Sequence, residues 1–220
     1  MDLTRLGHAC VRLDSDDARL VLDPGAYSLP GATDGADAVL VTHEHPDHVV
    51  VADLRAALVA DPALEAWAPA AVVAALLDGA PALSARVHEA HPGDAFEVAG
   101  FAVEVFGELH AVVHPDVPRI ANVAYLVSAE GRSVLHPGDS LTVVPRAVDV
   151  LLVPVAGPWL LLADAIDYVR AVAPAVAVPI HDAVCSPAGV TLIDRLLGPA
   201  GVGLGVARYR RPADGEPVAL

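Results

Sequence analysis

The sequence predicts an α/β fold in which two β-sheets pack face to face and carry helices on their outer faces. Three observations lead there: short Val/Leu strands stopped by Pro-Gly or by polar loops, a set of three strands that occurs twice in the same order, and helical segments placed after each set.

A length of 220 residues suits one well-buried domain spanning 1–220. With 55% hydrophobic but only 4% aromatic residues, its core is built mainly from Ala, Val and Leu.

The elements follow in chain order. "HACVRL" (His8 to Leu13) is an alternating strand, and "ARLVLDPG" (Ala18 to Gly25) is a strand that ends at Pro-Gly. "ADAVLVTHEH" (Ala36 to His45) is a third, running into a histidine cluster. Two helical segments come next, "DHVVVADLRAALVAD" (Asp47 to Asp61) and "PAAVVAALLDG" (Pro69 to Gly79), apolar at helical spacing and closed by breakers.

The set then returns. "NVAYLV" (Asn122 to Val127), "GRSVLHPGD" (Gly131 to Asp139) and "VDVLLVPVAGP" (Val148 to Pro158) repeat strand, Pro-Gly stop, and acid followed by strand. His8 maps onto Asn122 at an offset of 114, Leu22 onto Leu135 at 113, and Asp37 onto Asp149 at 112. Helices are again expected afterwards, at Leu162 to Pro174 and Ser186 to Gly198. Two similar halves, about 1–115 and 116–220, explain this spacing.

Composition narrows the function. All thirteen basic residues are Arg, so a catalytic lysine, a Schiff base and a lysine phosphate clamp are excluded. Neither GxGxxG nor GxxxxGK[ST] occurs, so a nucleotide fold has no support. A formal charge of -15 argues against nucleic acids and anionic membranes as partners, because both need a basic surface. No basic segment followed by an apolar one opens the chain, and the longest apolar run, from Val150, is broken by Pro154, Gly157 and Pro158. A cytoplasmic protein acting on a small-molecule substrate is expected. Cys10 and Cys185 lack CxxC spacing and are expected as buried thiols.

"THEHPDH" (Thr42 to His48) concentrates the chemistry. Alternate side chains of an extended segment point the same way, so His43 and His45 can reach one metal ion. Pro46 turns the chain, and Asp47 and His48 then address a neighbouring position. His110, Asp139 and His181 are ligand-type residues at the carboxyl ends of expected strands, where α/β folds build their sites. His110 follows "FAVEVF" and Gly107, taken as a turn residue. His114 competes with it; His110 is preferred because it lies nearer the strand end, which leaves His114, with Trp159, to contact substrate. His136 either orients a ligand carboxylate or packs within its strand. His8 is either a satisfied buried histidine or a supporting residue of the site. Asp23 is placed to hold the His43 loop by hydrogen bonds, while His88 and His91 are expected at the surface. Imidazole and carboxylate donors suit zinc, manganese or iron.

This pattern resembles the metallo-β-lactamase superfamily, whose signature HxHxDH followed by His, Asp and His is matched by His43, His45, Asp47, His48, His110, Asp139 and His181. The resemblance covers most of the chain. It implies a four-layer αββα sandwich of two similar halves, with His43, His45 and His110 on one metal, Asp47, His48 and His181 on the other, and Asp139 bridging. Asp23 falls where the family keeps a structural acid. Catalysis is expected from Asp47, His48 and Asp139 around two divalent ions, zinc first, with manganese or iron as alternatives. The implied activity is hydrolysis of an ester-type bond in a phosphodiester, lactone, thioester or amide. The alternatives are a mononuclear iron oxidoreductase of sulfur metabolism and a non-catalytic metal-binding module.

The antibiotic-hydrolysing class is set aside, since it uses a cysteine and a lysine where this chain has Asp139 and no lysine; the tRNA-processing branch adds a basic arm that is missing here. "LGHAC", "HPGDS" and "PIHD" look most like compact hydrolases near the ascorbate-6-phosphate lactonase branch. With no long insertion between the ligands, the cleft is expected to be open or to be covered by a partner subunit in an oligomer.

Overall fold

A computed structural model describes residues 1–205 and 207–220. In chain order the first sheet holds β1 (Asp2–Arg5), β2 (Val11–Ser15), β3 (Ala18–Leu22), β4 (Ala38–Leu40), β5 (Glu65–Ala68) and β6 (Val87–Glu89). The second holds β7 (Ala95–Val98), β8 (Phe101–Leu109), β9 (Ala121–Ala129), β10 (Arg132–His136), β11 (Val150–Pro154), β12 (Val176–Ile180) and β13 (Arg208–Tyr209). Finally β14 (Pro217–Ala219) returns to the first sheet beside β1.

The two sheets repeat one pairing scheme. β1, β2 and β3 pair antiparallel and β3 to β6 parallel; β8, β9 and β10 pair antiparallel and β10 to β13 parallel. Even the outer antiparallel strand recurs, β14 on β1 and β7 on β8. The sheets do not divide the chain at residue 115, however: β7 and β8 already belong to the second, and β14 comes back to the first.

One expected match shifts by a residue. Ala38 pairs with Leu20, and its counterpart Val150 pairs with Val134, so Leu22 corresponds to His136 and not to Leu135. The faces agree with this register. Leu22 lies between the sheets, whereas Leu135 lies under the helices, and a one-residue slip exchanges the two faces. Val11 opposite Leu22 then matches Tyr125 opposite His136, at the offset that also relates His8 to Asn122.

Helices α1 (Val51–Ala60) and α2 (Ala70–Leu77) bury Leu54, Leu58, Val72 and Leu76 against Val21, Val39 and Val41 of the first sheet. On the other side α3 (Leu162–Val172) and α4 (Pro187–Leu197) bury Val169, Ile193 and Leu197 against Leu151, Val153 and Ala177. Between the sheets Leu3, Leu13, Leu20 and Leu40 meet Phe101, Val103, Tyr125 and Leu152. The layers are therefore α, β, β, α, as expected. Truncating one of these buried leucines to Ala costs about 2–5 kcal/mol.

Two local expectations need correction. The first helix begins at Val51 and not at Asp47, because His48 and Val49 both donate their N–H to the carbonyl of His45, closing a turn that aims Asp47 and His48 into the site. Gly107 is no turn: β8 runs through it to Leu109, and its positive φ of 77° lets the backbone pass close to Thr142.

At one end the sheets are tied directly. Val123 N–H donates to the Thr42 carbonyl at 3.0 Å, His181 N–H to the His8 carbonyl at 2.9 Å, and the Tyr125 hydroxyl to the Val41 carbonyl at 3.1 Å. These ties fix, relative to one another, the loops that carry the histidines. No helix among the described residues is long and apolar enough to cross a membrane.

Candidate metal centre

Two groups of side chains gather at that end. His43, His45, His110 and Asp139 form one, and His8, Asp47, His48 and His181 the other; within each, the donor atoms lie within 4.8 Å of one another. All seven residues of the sequence pattern are present, and His8 joins them. Their positions follow from strand ends: His43 comes after β4, His110 after β8, Asp139 after β10 and His181 after β12.

Asp139 stands between the groups. Its Oδ2 lies 3.2 Å from His110 Nε2 and 4.0 Å from His43 Nε2, while its Oδ1 lies 3.0 Å from His48 Nε2 and 3.2 Å from His181 Nε2. His48 Nε2, His181 Nε2 and Asp139 Oδ1 are nevertheless buried without a hydrogen bond. Buried polar atoms are normally satisfied, so donors converging without mutual hydrogen bonds fit a shared cation.

The outer hydrogen bonds decide which ring nitrogens are free. Asp23 accepts from Thr42 N–H, the Thr42 hydroxyl and His48 Nδ1, each at 2.7 Å. His48 therefore donates Nδ1–H to Asp23 and turns Nε2 inward, the nitrogen whose proton a cation would displace. Because the Thr42 hydroxyl proton goes to Asp23, Thr42 Oγ1 accepts from His43 Nδ1 at 3.0 Å, which leaves the lone pair on His43 Nε2, 3.0 Å from His45 Nδ1. His110 Nδ1 donates to the Ala111 carbonyl at 2.7 Å, with the same result at its Nε2.

His8 behaves differently. Its Nδ1 accepts from Ala183 N–H at 3.2 Å, so Nε2 carries the proton and donates to Asp47 Oδ2 at 3.1 Å. By this chemistry His8 orients Asp47 and offers no lone pair to an ion. His136 is a packed residue that donates Nε2–H to the Ala9 carbonyl at 2.8 Å and accepts from Gly138 N–H at 3.1 Å, without reaching the Asp139 carboxylate.

Trp159 donates Nε1–H to Asp139 Oδ2 at 3.0 Å, so it holds the shared acid as well as walling the cleft beside His110 and His181. His114 stays outside both groups, an exposed side chain that accepts from Asp116 N–H. His91 is exposed as expected, His88 stacks on Trp67 and pairs with Glu65, and of the thiols Cys10 is buried while Cys185 is half-buried.

Charge matches this picture. Burial disfavours protonation of His48, but Asp23 and Asp139 outweigh it and push its pKa up to about 10. For His181, burial is likewise overcome by Asp139 and Asp47, to about 9. Burial opposes ionisation of Asp139 and Asp47 too, yet the surrounding histidines hold both well below the usual carboxylate range. Burial pushes the pKa of His43 well down and that of His45 down as well. Protons on His48 and His181 thus occupy positions that a bound cation would take over.

Backbone strain collects here. His8, Asp23 and His181 adopt φ of 51°, 49° and 64°, a left-handed region that L-residues seldom enter. Three supporting residues escape a reading of the sequence. Thr42 relays His43 to Asp23; Asn122 accepts from Asp139 N–H at 2.9 Å; and Gly138 leaves no room for a Cβ, which would sit 2.4 Å from Asn122 Oδ1. The repeat match of Asn122 to His8 was the one available signal, since both are buried at the site end.

A sequence profile of the family described as "Beta-lactamase superfamily domain" matches residues 2–181. The chain is 43% identical to protein Rv0786c of Mycobacterium tuberculosis, over 85% of this chain and 86% of that one. It is 27% identical to the UPF0173 metal-dependent hydrolase MK1542 of Methanopyrus kandleri, over 82% of this chain and 84% of that one. Among solved structures, the metallo hydrolase Igni18 of Ignicoccus hospitalis superposes with a TM-score of 0.71 at 19% identity, covering 99% of this chain and 97% of its own.

Proposed function

The chain belongs to the beta-lactamase superfamily, and from that premise we propose that it is a metal-dependent hydrolase of ester-type bonds with two divalent ions, zinc first by donor chemistry and manganese or iron next. One observation carries the reading: Asp139 presents one oxygen to each group, and its Oδ1 lies buried with His48 Nε2 and His181 Nε2, none of the three holding a hydrogen bond.

His43, His45 and His110 would hold one ion and Asp47, His48 and His181 the other, with Asp139 shared. Bound there, such ions lower the pKa of a water from 15.7 to about 7 and polarise a carbonyl or phosphoryl oxygen. The protein contributes orientation. Asp23 and Thr42 fix the imidazoles, His8 fixes Asp47, and Trp159 fixes Asp139.

Asp47 opens onto a cavity of 320 Å³ shared with Tyr27, Pro46 and Val184, which gives substrate a way in. Tyr27 and Val184 are 53% and 59% exposed, large apolar side chains at the mouth of a charged site. Arg119, the arginine beside His45 and His110, spends its Nε–H on the His110 carbonyl. The exposed apolar mouth favours esters, thioesters and lactones with an apolar part, and the segments around His8, Asp139 and His181 keep lactones first in the screen.

The test is metal content per chain, by inductively coupled plasma mass spectrometry after chelator-free purification, followed by hydrolysis assays on wild type and Asp139→Ala. About two zinc or manganese ions per chain and hydrolysis lost in the variant support the reading. One iron with oxygen uptake redirects it to oxidoreductase chemistry, and full turnover in Asp139→Ala sinks it.

A further inference from the structure

A second cavity, of 160 Å³, lies at the opposite end of the sandwich, where β10, β11 and β12 begin. Its floor is the edge of the inter-sheet core, with Leu3, Val150 and Val178 almost fully buried. Its rim carries Arg132, Arg208 and Arg210.

Strand geometry explains the rim. β13 is an edge strand with Arg208 opposite Val176, and Arg210 follows two residues on, so both guanidinium groups project on the same side. With 28 acidic residues against 13 arginines, an arginine in this chain has ample choice of carboxylate partners. Arg5, Arg12, Arg19, Arg132, Arg146, Arg170 and Arg211 each take one, and Arg55, Arg86 and Arg119 bind backbone carbonyls instead. Arg208 and Arg210 take neither: among the described residues their side chains make no ion pair or hydrogen bond, a state shared by the exposed Arg195 but here occurring twice on the rim of one cavity. The one side-chain carboxylate lining the cavity, Asp149, accepts from Ser133 N–H and Oγ–H through Oδ2 at 2.9 and 3.0 Å and pairs through Oδ1 with Arg132 at 3.7 Å, which leaves Arg208 and Arg210 as the rim arginines without a carboxylate.

We propose that this cavity binds a small monocarboxylate with a compact apolar body. The apolar floor takes the hydrocarbon, and Arg208 and Arg210 take the carboxylate, a group that guanidinium pairs with through two parallel hydrogen bonds. Size sets the body: an apolar cavity of about 150 Å³ accommodates benzene, so about six carbons fit. A free phosphate would satisfy the arginines and leave the floor unused. A neutral alcohol would do the reverse.

Sodium hexanoate is the probe, titrated into the metal-loaded protein while the valine methyl resonances are followed by NMR, with inorganic phosphate and hexanol titrated in parallel. Saturable shifts centred on Val150, Val176, Val178 and Val218 are expected with hexanoate, at a dissociation constant at least tenfold below that of either partial ligand. Arg208→Glu and Arg210→Glu lie on the exposed rim and leave the core intact; the double variant is expected to abolish the saturable shifts. Equal binding of phosphate and hexanoate, unchanged binding in the double variant, or shifts centred on the His43 to His48 region would each overturn the assignment.

Discussion

Asp23 Oδ2 lies 2.7 Å from His48 Nδ1, and both side chains are fully buried. The same carboxylate accepts from Thr42, which in turn accepts from His43, so one acid sets the ring orientation in both groups. Asp23→Asn keeps size and tolerates the left-handed backbone, but it loses the charge and turns a donor toward a donor. Ion affinity is expected to fall about 10–100-fold, measured by competition with a chromophoric chelator. Unchanged affinity would reduce Asp23 to a packing role.

Trp159→Phe keeps an aromatic ring in the cleft, though a smaller one, and removes the Nε1–H bond to Asp139. If that bond positions the shared acid, turnover drops about tenfold or more while KM stays close to wild type. A rise in KM alone would make Trp159 a substrate contact, the role expected of it from sequence.

Much of this arrangement is visible in the residues themselves. "THEHPDH" and the acids and histidines at strand ends carry their positions with them, because strand termini and Pro-Gly stops are local features. The relay from His43 through Thr42 to Asp23 is different, since it depends on how β3 and β4 lie side by side. Asn122 meets Asp139 only through the pairing of β9 with β10. The Pro-Gly stops match Leu22 to Leu135 and the strand pairing matches it to His136, because a stop marks where a strand ends and not which face a residue takes. β13 and β14 leave no mark in the sequence, because two or three residues show no period.

Charge in the metal-free protein gives a pH prediction. His48 and His181 have folded pKa values raised to about 10 and about 9, above the ordinary histidine value of 6.5. A raised folded pKa contributes stability that is fully present below 6.5 and is lost as pH climbs through the folded values. Chelator-treated protein should therefore lose thermal stability between about pH 6.5 and pH 10. Zinc-loaded protein, in which ions replace those protons, should be nearly flat over that window, and zinc binding at pH 7.5 should release protons, seen as a buffer-dependent heat in calorimetry. Equal pH dependence with and without zinc would contradict the site.

Gly138 separates backbone strain from contact. At φ 59° an alanine Cβ would sit 2.4 Å from Asn122 Oδ1 and 2.7 Å from Thr42 Cβ, the two residues that brace Asp139 and His43. Gly100 has φ 82° and nothing within 4 Å of such a Cβ. Gly100→Ala is expected to cost only the left-handed backbone term, about 1–2 kcal/mol. Gly138→Ala adds overpacking, about 1–3 kcal/mol more, in urea unfolding. The sharper difference lies in metal uptake: moving Asn122 or Thr42 by a few tenths of an ångström displaces Asp139 and His43, so Gly138→Ala loses ion affinity while Gly100→Ala keeps it. Parallel losses in both variants would mean that general destabilisation, and not the close approach at Gly138, governs ion binding.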